Sequence, residues 1–262
     1  MRSQELRSCL DVAARAARQA GTLLAAHAGR PRRVRTKRSV IDLVTEIDRA
    51  SERLLHQAIQ RRFPEHGFRG EERTRTHPDA PSQWIVDPLD GTTNFVHGVP
   101  AFAISIALAH HGQLLIGVIY DPMRNEMFTA MKGSGAWLNG ARIRVSRTRD
   151  LKTSLLATGF SPKFRENPKP YLRWFEAFQL RCHAVRRTGS TSLSLAYVAC
   201  GRQDGFYEQD LWPWDIAAGI LLVEEARGRV TDFHGHPACL EEGQVVASNG
   251  SIHRAMLRIL AP

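Results

Sequence analysis

Trp84-Ile85-Val86-Asp87-Pro88-Leu89-Asp90-Gly91-Thr92-Thr93-Asn94-Phe95 reads as an apolar strand that ends in two carboxylates three residues apart. Pro88 stiffens the link between them and Gly91 permits a sharp turn after the second, so both acids can face one point. Hard divalent cations take oxygen from carboxylates and backbone carbonyls, and Asp87, the Leu89 carbonyl and Asp90 can supply such ligands from one short loop. Gly91-Thr92-Thr93 then offers backbone N–H groups at a helix start, where a phosphate is readily held. The same pattern also suits a strand followed by an Asp-rich turn whose acids cap loop N–H groups. Other segments have to decide between the two.

Working outward from this stretch, the texture stays β-like, with strands expected at residues 84–86, 101–109, 114–120, 126–130 and 142–145 and a hairpin at His110-His111-Gly112-Gln113. Upstream, Leu6, Leu10, Ala13, Ala17, Ala20 and Leu24 recur at helical spacing over residues 4–26, and a second helix is expected over 48–63, stopped by Pro64. Between those helices lies Arg30-Pro31-Arg32-Arg33-Val34-Arg35-Thr36-Lys37-Arg38, a basic run without an acid. Downstream, helices near 171–180, 191–200 and 215–226 alternate with strands near 184–187, 205–207 and 245–247. Helices and strands mixed throughout predict an α/β or α+β fold with a seam near residue 150, dividing the chain into 1–150 and 151–262.

The chain has 262 residues, 43% hydrophobic and 24% charged, which is a globular composition with enough length for a sizeable core. No apolar run approaches the roughly 20 residues of a membrane span, and the first residues carry no signal core, so a membrane or secreted protein is not expected. Cys9, Cys182, Cys200 and Cys239 are scattered without a zinc-site spacing, which suits a reducing cytoplasm. The formal net charge of +10 favours anionic partners such as phosphate esters or nucleic acid without choosing between them. The chain contains no G-x-S-x-G, no Walker loop and no H-E-x-x-H, so nucleophile-elbow, P-loop and zincin chemistry are not indicated.

Three further acidic segments flank the helices: Asp42-Leu43-Val44-Thr45-Glu46-Ile47-Asp48, Phe68-Arg69-Gly70-Glu71-Glu72 and Trp212-Pro213-Trp214-Asp215. Singly, each has a plain account, with Asp48 and Asp215 as helix N-caps and Glu71 and Glu72 as solvated loop acids. Taken in order with the Asp87 to Phe95 stretch, they resemble the inositol monophosphatase family, Mg²⁺-dependent and lithium-sensitive phosphatases with a bacterial SuhB-like branch. The resemblance runs over about residues 37–226.

It implies a layered αβαβα sandwich of the sugar-phosphatase type, commonly a homodimer, with Glu71, Asp87, the Leu89 carbonyl, Asp90 and Asp215 as Mg²⁺ ligands. The 1–150 part would carry most of these and the 151–262 part Asp215 and the substrate loop. It implies that Thr92, hydrogen-bonded to Asp48, orients the attacking water, with Glu71 also part of the catalytic apparatus. Lys37, Gly91, Thr92, Gly189, Ser190, Thr191, Glu208 and Asp215 fall at the implied substrate and phosphate contacts. The resulting expectation is hydrolysis of a small phosphomonoester, foremost myo-inositol monophosphate. Histidinol-phosphate or sugar-phosphate hydrolysis on the same scaffold is the nearest alternative. SuhB-like proteins are also associated with ribosomal RNA transcription, which makes the basic run a candidate contact to RNA or the transcription machinery. It contains no aromatic residue on which a base could stack.

Overall fold

The computed structural model describes residues 1–29, 34–36, 43–72 and 74–261, with 34–36 and 43–45 described by backbone alone. Lys37, Asp42 and most of the basic run therefore lie outside the described residues. Helix α1 (Ser3–Ala25) is followed by β1 (Val34–Thr36), which pairs antiparallel with β2 (Leu43–Thr45), and then by α2 (Glu46–Arg62). Next come β3 (Gly67–Gly70), β4 (Arg75–Thr76), β5 (Ser82–Asp90), the short α3 (Thr92–Val96) and a meander of β6 (Ala103–His110), β7 (Gln113–Asp121), β8 (Glu126–Met131), β9 (Gly135–Leu138) and β10 (Ala141–Ile143). The remainder holds β11 (Leu155–Thr158), α4 (Lys169–Gln179), β12 (Ala184–Arg186), α5 (Thr191–Ala199), β13 (Gly205–Glu208), α6 (Pro213–Glu225), β14 (Arg229–Thr231), β15 (Val245–Ser248) and α7 (His253–Leu260).

Two sheets result. One has the order β10-β9-β8-β7-β6-β5-β3-β4, antiparallel except where β3 runs beside β5, and the other has the order β12-β11-β13-β15-β14, with parallel and antiparallel pairs. The apolar stripe of α1 and α2, including Leu24, Leu55 and Ile59, covers one face of the larger sheet through Trp84, Ile104 and Ile116. Helices α5 and α6 are apolar nearly all round, as a helix buried on both sides must be. Leu195 and Leu221 pack between Ile85, Ile119 and Phe128 of the larger sheet and Phe206 and Val245 of the smaller one. Gly117 on β7 lets α6 approach closely, since a Cβ there would stand 2.7 Å from the Ala218 carbonyl oxygen. The far face of the smaller sheet is covered by Trp174 and Phe178 of α4 and Met256 and Leu260 of α7. The order of layers is αβαβα, as expected.

Local differences have local causes. Strand β5 runs nine residues instead of three, because it continues through Pro88 by way of a bulge. Strands β3, β9 and β11 and helix α7 were not legible as elements, being short or glycine-flanked. No helix among the described residues is long and apolar enough to cross a membrane.

Candidate active site

The bulge in β5 builds the site. Asp87 pairs with Ser105 and Asp90 with Ala103, so three steps along β5 match two along β6. Residues two apart on a strand share a face, and the extra residue therefore turns both acids toward the α5 and α6 layer, where regular alternation would have sent them to opposite faces. Pro88 sits within the bulge, where its missing N–H costs little. The Pro88 carbonyl accepts a bond from Ser51 Oγ of α2 at 2.9 Å, and the Leu89 N–H donates to Asp87 Oδ1 at 2.9 Å. Gly91 follows at φ +96°, and a Cβ there would lie 3.0 Å from the Ala101 carbonyl oxygen and 3.2 Å from that of Gly189.

The other expected residues come from separate elements. Glu71 follows β3, and its backbone N–H donates to the Val86 carbonyl at 3.1 Å, which fixes it beside β5. Asp48 lies inside the first turn of α2 rather than at its cap and is wholly buried. Thr92 Oγ1 stands 3.2 Å from Asp48 Oδ1 and 3.1 Å from the Leu89 carbonyl oxygen, so one hydroxyl proton has two acceptors. Asp215 sits in the first turn of α6, where Oδ2 accepts from the Trp212 N–H at 2.7 Å.

Asp90 is the most heavily bonded acid. Its Oδ2 accepts from Ser190 Oγ at 2.6 Å, from the Ser192 N–H at 2.7 Å and from Ser192 Oγ, while Oδ1 accepts from the Thr191 N–H at 3.3 Å. Glu208, at the end of β13, accepts from Thr191 Oγ1 at 3.1 Å. Gly189, at φ +80°, packs against Asn94.

These carboxylates act on one another. Burial first, then Glu71, Asp90 and Asp215, push the Asp87 carboxyl well above the usual range, and Asp87 is only 2% exposed. Asp215 is raised well above it by burial, Glu71 and Asp90. Asp90 is raised by burial in spite of its serine donors, and burial takes Glu208 to about 8. Among the described residues, the charged groups that raise Asp87 are Glu71, Asp90 and Asp215, all acids, and buried like charges of this kind call for a cation. The donor set is all oxygen, which fits a hard divalent ion better than a thiophilic one. Among the described residues no three acidic, His or Cys side chains stand as a closed ligand set.

Glu71, Asp90, Gly91 and Thr92 open into a cleft of about 690 Å³ whose lining also includes Gly189, Ser190, Thr191 and Glu208. Three residues of consequence went unread in the sequence. Ser192 completes the donors around Asp90, Gly159 clears space for Glu208, and Asn94 Nδ2 ties the Ala101 carbonyl at 2.6 Å to that of Thr188 at 2.8 Å. Asn94 belongs to the decisive stretch and could have been singled out there; the others depend on contacts between distant segments.

Residues 5–261 match the profile of the inositol monophosphatase family. The chain is 46% identical over 250 residues to Nus factor SuhB of Escherichia coli, covering 95% of this chain and 94% of that protein. Extragenic suppressor protein SuhB from Bartonella henselae superposes with a TM-score of 0.91 at 40% identity, covering 97% of this chain and 98% of that one. The inositol monophosphatase from Anabaena gives 0.90 at 41% identity, covering 98% and 96%. With this agreement over nearly its whole length, the chain belongs to the inositol monophosphatase family.

Proposed function

We propose that the protein is a cytoplasmic, Mg²⁺-dependent phosphatase that hydrolyses a small phosphomonoester, myo-inositol monophosphate foremost. The observation that carries this reading is the set of mutually repelling acids Asp87 and Asp90, buried, and Glu71 and Asp215, partly buried, of which Glu71 and Asp90 line a substrate-sized cleft. Glu71, Asp87, the Leu89 carbonyl, Asp90 and Asp215 would hold the cation, which supplies Lewis acidity toward phosphoryl oxygens and toward water. Thr92 Oγ1 donates its proton to Asp48 Oδ1, which leaves its lone pairs free to accept from water and aim it at phosphorus. Gly91 and Thr92 present backbone N–H groups to the phosphate, and Lys37 adds a positive charge. Gly189, Ser190, Thr191 and Glu208 receive the alcohol, with Glu208 accepting from its hydroxyls. No side-chain nucleophile enters this scheme. Residues 1–150 contribute most of the cation ligands, residues 151–262 contribute Asp215 and the alcohol contacts, and the working unit is a homodimer.

Phosphate release across a panel of phosphomonoesters tests the reading. Turnover should require Mg²⁺, favour inositol monophosphate over histidinol phosphate and sugar phosphates, and fall with lithium, a small hard cation of the wrong charge for the site. Absence of Mg²⁺-dependent phosphate release from every ester would refute it. Size-exclusion chromatography at working concentration reads the dimer.

The likeness to a Nus factor supports a second role that is compatible with the first, contact with the transcription machinery or its RNA through the basic run at residues 30–38. Replacing Arg30, Arg32, Arg33 and Arg35 with Gln should then weaken RNA binding and flatten its salt dependence, by up to about 0.7 in the log–log slope for each lost phosphate contact. RNA affinity that ignores the substitutions would exclude this role for the run.

A further inference from the structure

The cleft extends past Glu208 and Thr191 to a wall that the phosphatase reading leaves unused, formed by Phe160, Phe164, Arg165 and Arg187. Phe160 and Phe164 stack face to face, 4.8 Å between centroids and 4° between planes. The Arg187 guanidinium carbon lies 5.0 Å from the centre of the Phe160 ring. A guanidinium resting on an aromatic ring is held in orientation while its N–H donors remain available in plane, a fork that matches phosphate and carboxylate oxygens. Arg187 also reaches the alcohol end of the cleft electrostatically, since it draws the Glu208 carboxyl down against the effect of burial.

Lys163, next to Phe164 in the chain, is already paired with Asp210 at 2.9 Å, as Arg202 is with Glu126 at 2.5 Å and Arg69 with Glu241 at 2.6 Å elsewhere in the molecule. Among the described residues, Arg165 and Arg187 form no ion pair with an acid. The lining of the cleft thus combines the acids Glu71 and Asp90 with two guanidinium groups, Arg165 and Arg187, that no acid neutralises as an ion pair. At about 690 Å³ it falls in the range that takes drug-sized ligands, with room beyond a phosphorylated six-carbon ring. The hydroxyls of a neutral polyol would be met by Glu208 and Thr191 and make no demand on two unpaired guanidinium groups.

We infer that Arg187, assisted by Arg165, determines specificity by receiving a second oxyanion carried on the alcohol portion of the substrate. The inference rests on the phosphatase reading and names a substrate class for it: phosphomonoesters of alcohols that bear a further phosphate or a carboxylate several atoms from the scissile ester. Charge complementarity between the two ends of the cleft and the two ends of such a substrate would also fix which way round it binds.

A matched series tests this, because glucitol 6-phosphate, 6-phosphogluconate and glucitol 1,6-bisphosphate differ only at the carbon remote from the shared ester. With Mg²⁺, kcat/KM for the carboxylate and for the bisphosphate should exceed that for glucitol 6-phosphate by about tenfold, the worth of one charge-assisted contact. The carboxylate arm is free of the factor of two that a second scissile phosphate brings, and comparing the two arms tells which oxyanion the fork prefers. In Arg187→Gln both ratios should collapse toward unity, and Arg187→Lys, which keeps charge but loses the fork, should restore them in part. Equal kcat/KM across the series in the parent, or ratios that survive Arg187→Gln, would overturn the inference. Calorimetric binding of the corresponding phosphonates reads the same ratios without turnover. An Arg187-dependent binding ratio with no hydrolysis would sink the phosphatase reading alone, whereas hydrolysis of all three esters without a ratio would sink this inference alone.

Discussion

Ser190 Oγ donates to Asp90 Oδ2 at 2.6 Å, joining residues one hundred positions apart in the chain. The bond belongs to a set in which a carboxylate at the end of β5 accepts from Ser190, Thr191 and Ser192 at the start of α5, the first helical turn of the middle layer. An acid at a helix N-terminus satisfies N–H groups that have no partner within the helix and is favoured by its dipole. Asp90 therefore holds the larger sheet to the α5 layer as well as facing the cleft.

Asp90→Asn and Asp87→Asn should accordingly differ in stability, although both should abolish turnover. An Asn at position 90 turns N–H groups toward existing donors and should cost about 1–3 kcal/mol. At position 87 it removes a buried charge surrounded by acids, and its carbonyl can still accept from the Leu89 N–H. Without divalent cations Asp87→Asn should be at least as stable as the parent. Chemical denaturation in chelator checks the pair, and an Asp90→Asn variant no weaker than Asp87→Asn would remove the capping role.

In the cation-free protein, stability should fall as pH rises from the ordinary carboxylate range, 4.5 for Glu208, to about 8. The carboxyls of Asp87, Asp215 and Glu208 bind protons more tightly folded than unfolded, so their contribution is full below the ordinary carboxylate range and is lost as each ionises, for Glu208 near 8. His253 acts in the opposite direction. Buried between Thr231 and Ser248, it is lowered to about 4 from 6.5, and its contribution is lost as pH falls through that interval. Melting temperature in chelator should thus pass through a maximum, and Mg²⁺ should raise it most at the alkaline end. A Glu208→Gln variant with an unchanged alkaline limb would contradict the assignment.

Much of this arrangement was legible in the sequence for one physical reason: the acids of the site are bound to local grammar. Asp87 and Asp90 sit on an apolar strand with a proline and a glycine at the turn, and Asp48 and Asp215 lie in first helical turns, so motif and element announce each other. What could not be read depends on juxtaposition. The bulge that turns Asp87 and Asp90 to one face exists only against the register of β6, and the donors of Asp90 come from a helix a hundred residues away. Strand β3 was hidden because Gly67 and Gly70 bracket only two other residues, and its identity is fixed by pairing with β5. The outer wall of the cleft was missed because Phe160, Arg165 and Arg187 share no periodicity.

Gly159→Ala should act on substrate binding through Glu208. A Cβ at 159 would lie 2.2 Å from both Glu208 carboxylate oxygens, so the carboxylate must rotate and give up its bond from Thr191 Oγ1. If Glu208 receives the alcohol, KM should rise by up to about tenfold, the worth of one hydrogen bond, with a smaller change in kcat. Thr191→Val, which removes the same bond from the other side, should shift KM in the same direction. Unaltered KM in both variants would separate Glu208 from the substrate.

Thr92 provides the sharpest test of how water is oriented, because its hydroxyl touches Asp48 and the Leu89 carbonyl yet carries no charge. Thr92→Ala deletes the group that would aim the water but leaves every carboxylate in place, so kcat should drop by about 10²–10⁴-fold, the span of a lost general acid–base contact. Apparent Mg²⁺ affinity should move far less. Thr92→Ser keeps the hydroxyl and should recover most of the rate, whereas Asp48→Asn leaves the hydroxyl but removes its charged acceptor and should fall between the two. Mg²⁺ dependence of initial rates in the three variants separates the roles: parallel losses of rate and Mg²⁺ affinity in Thr92→Ala would mean that the hydroxyl serves the Leu89 carbonyl and the cation site instead of the water.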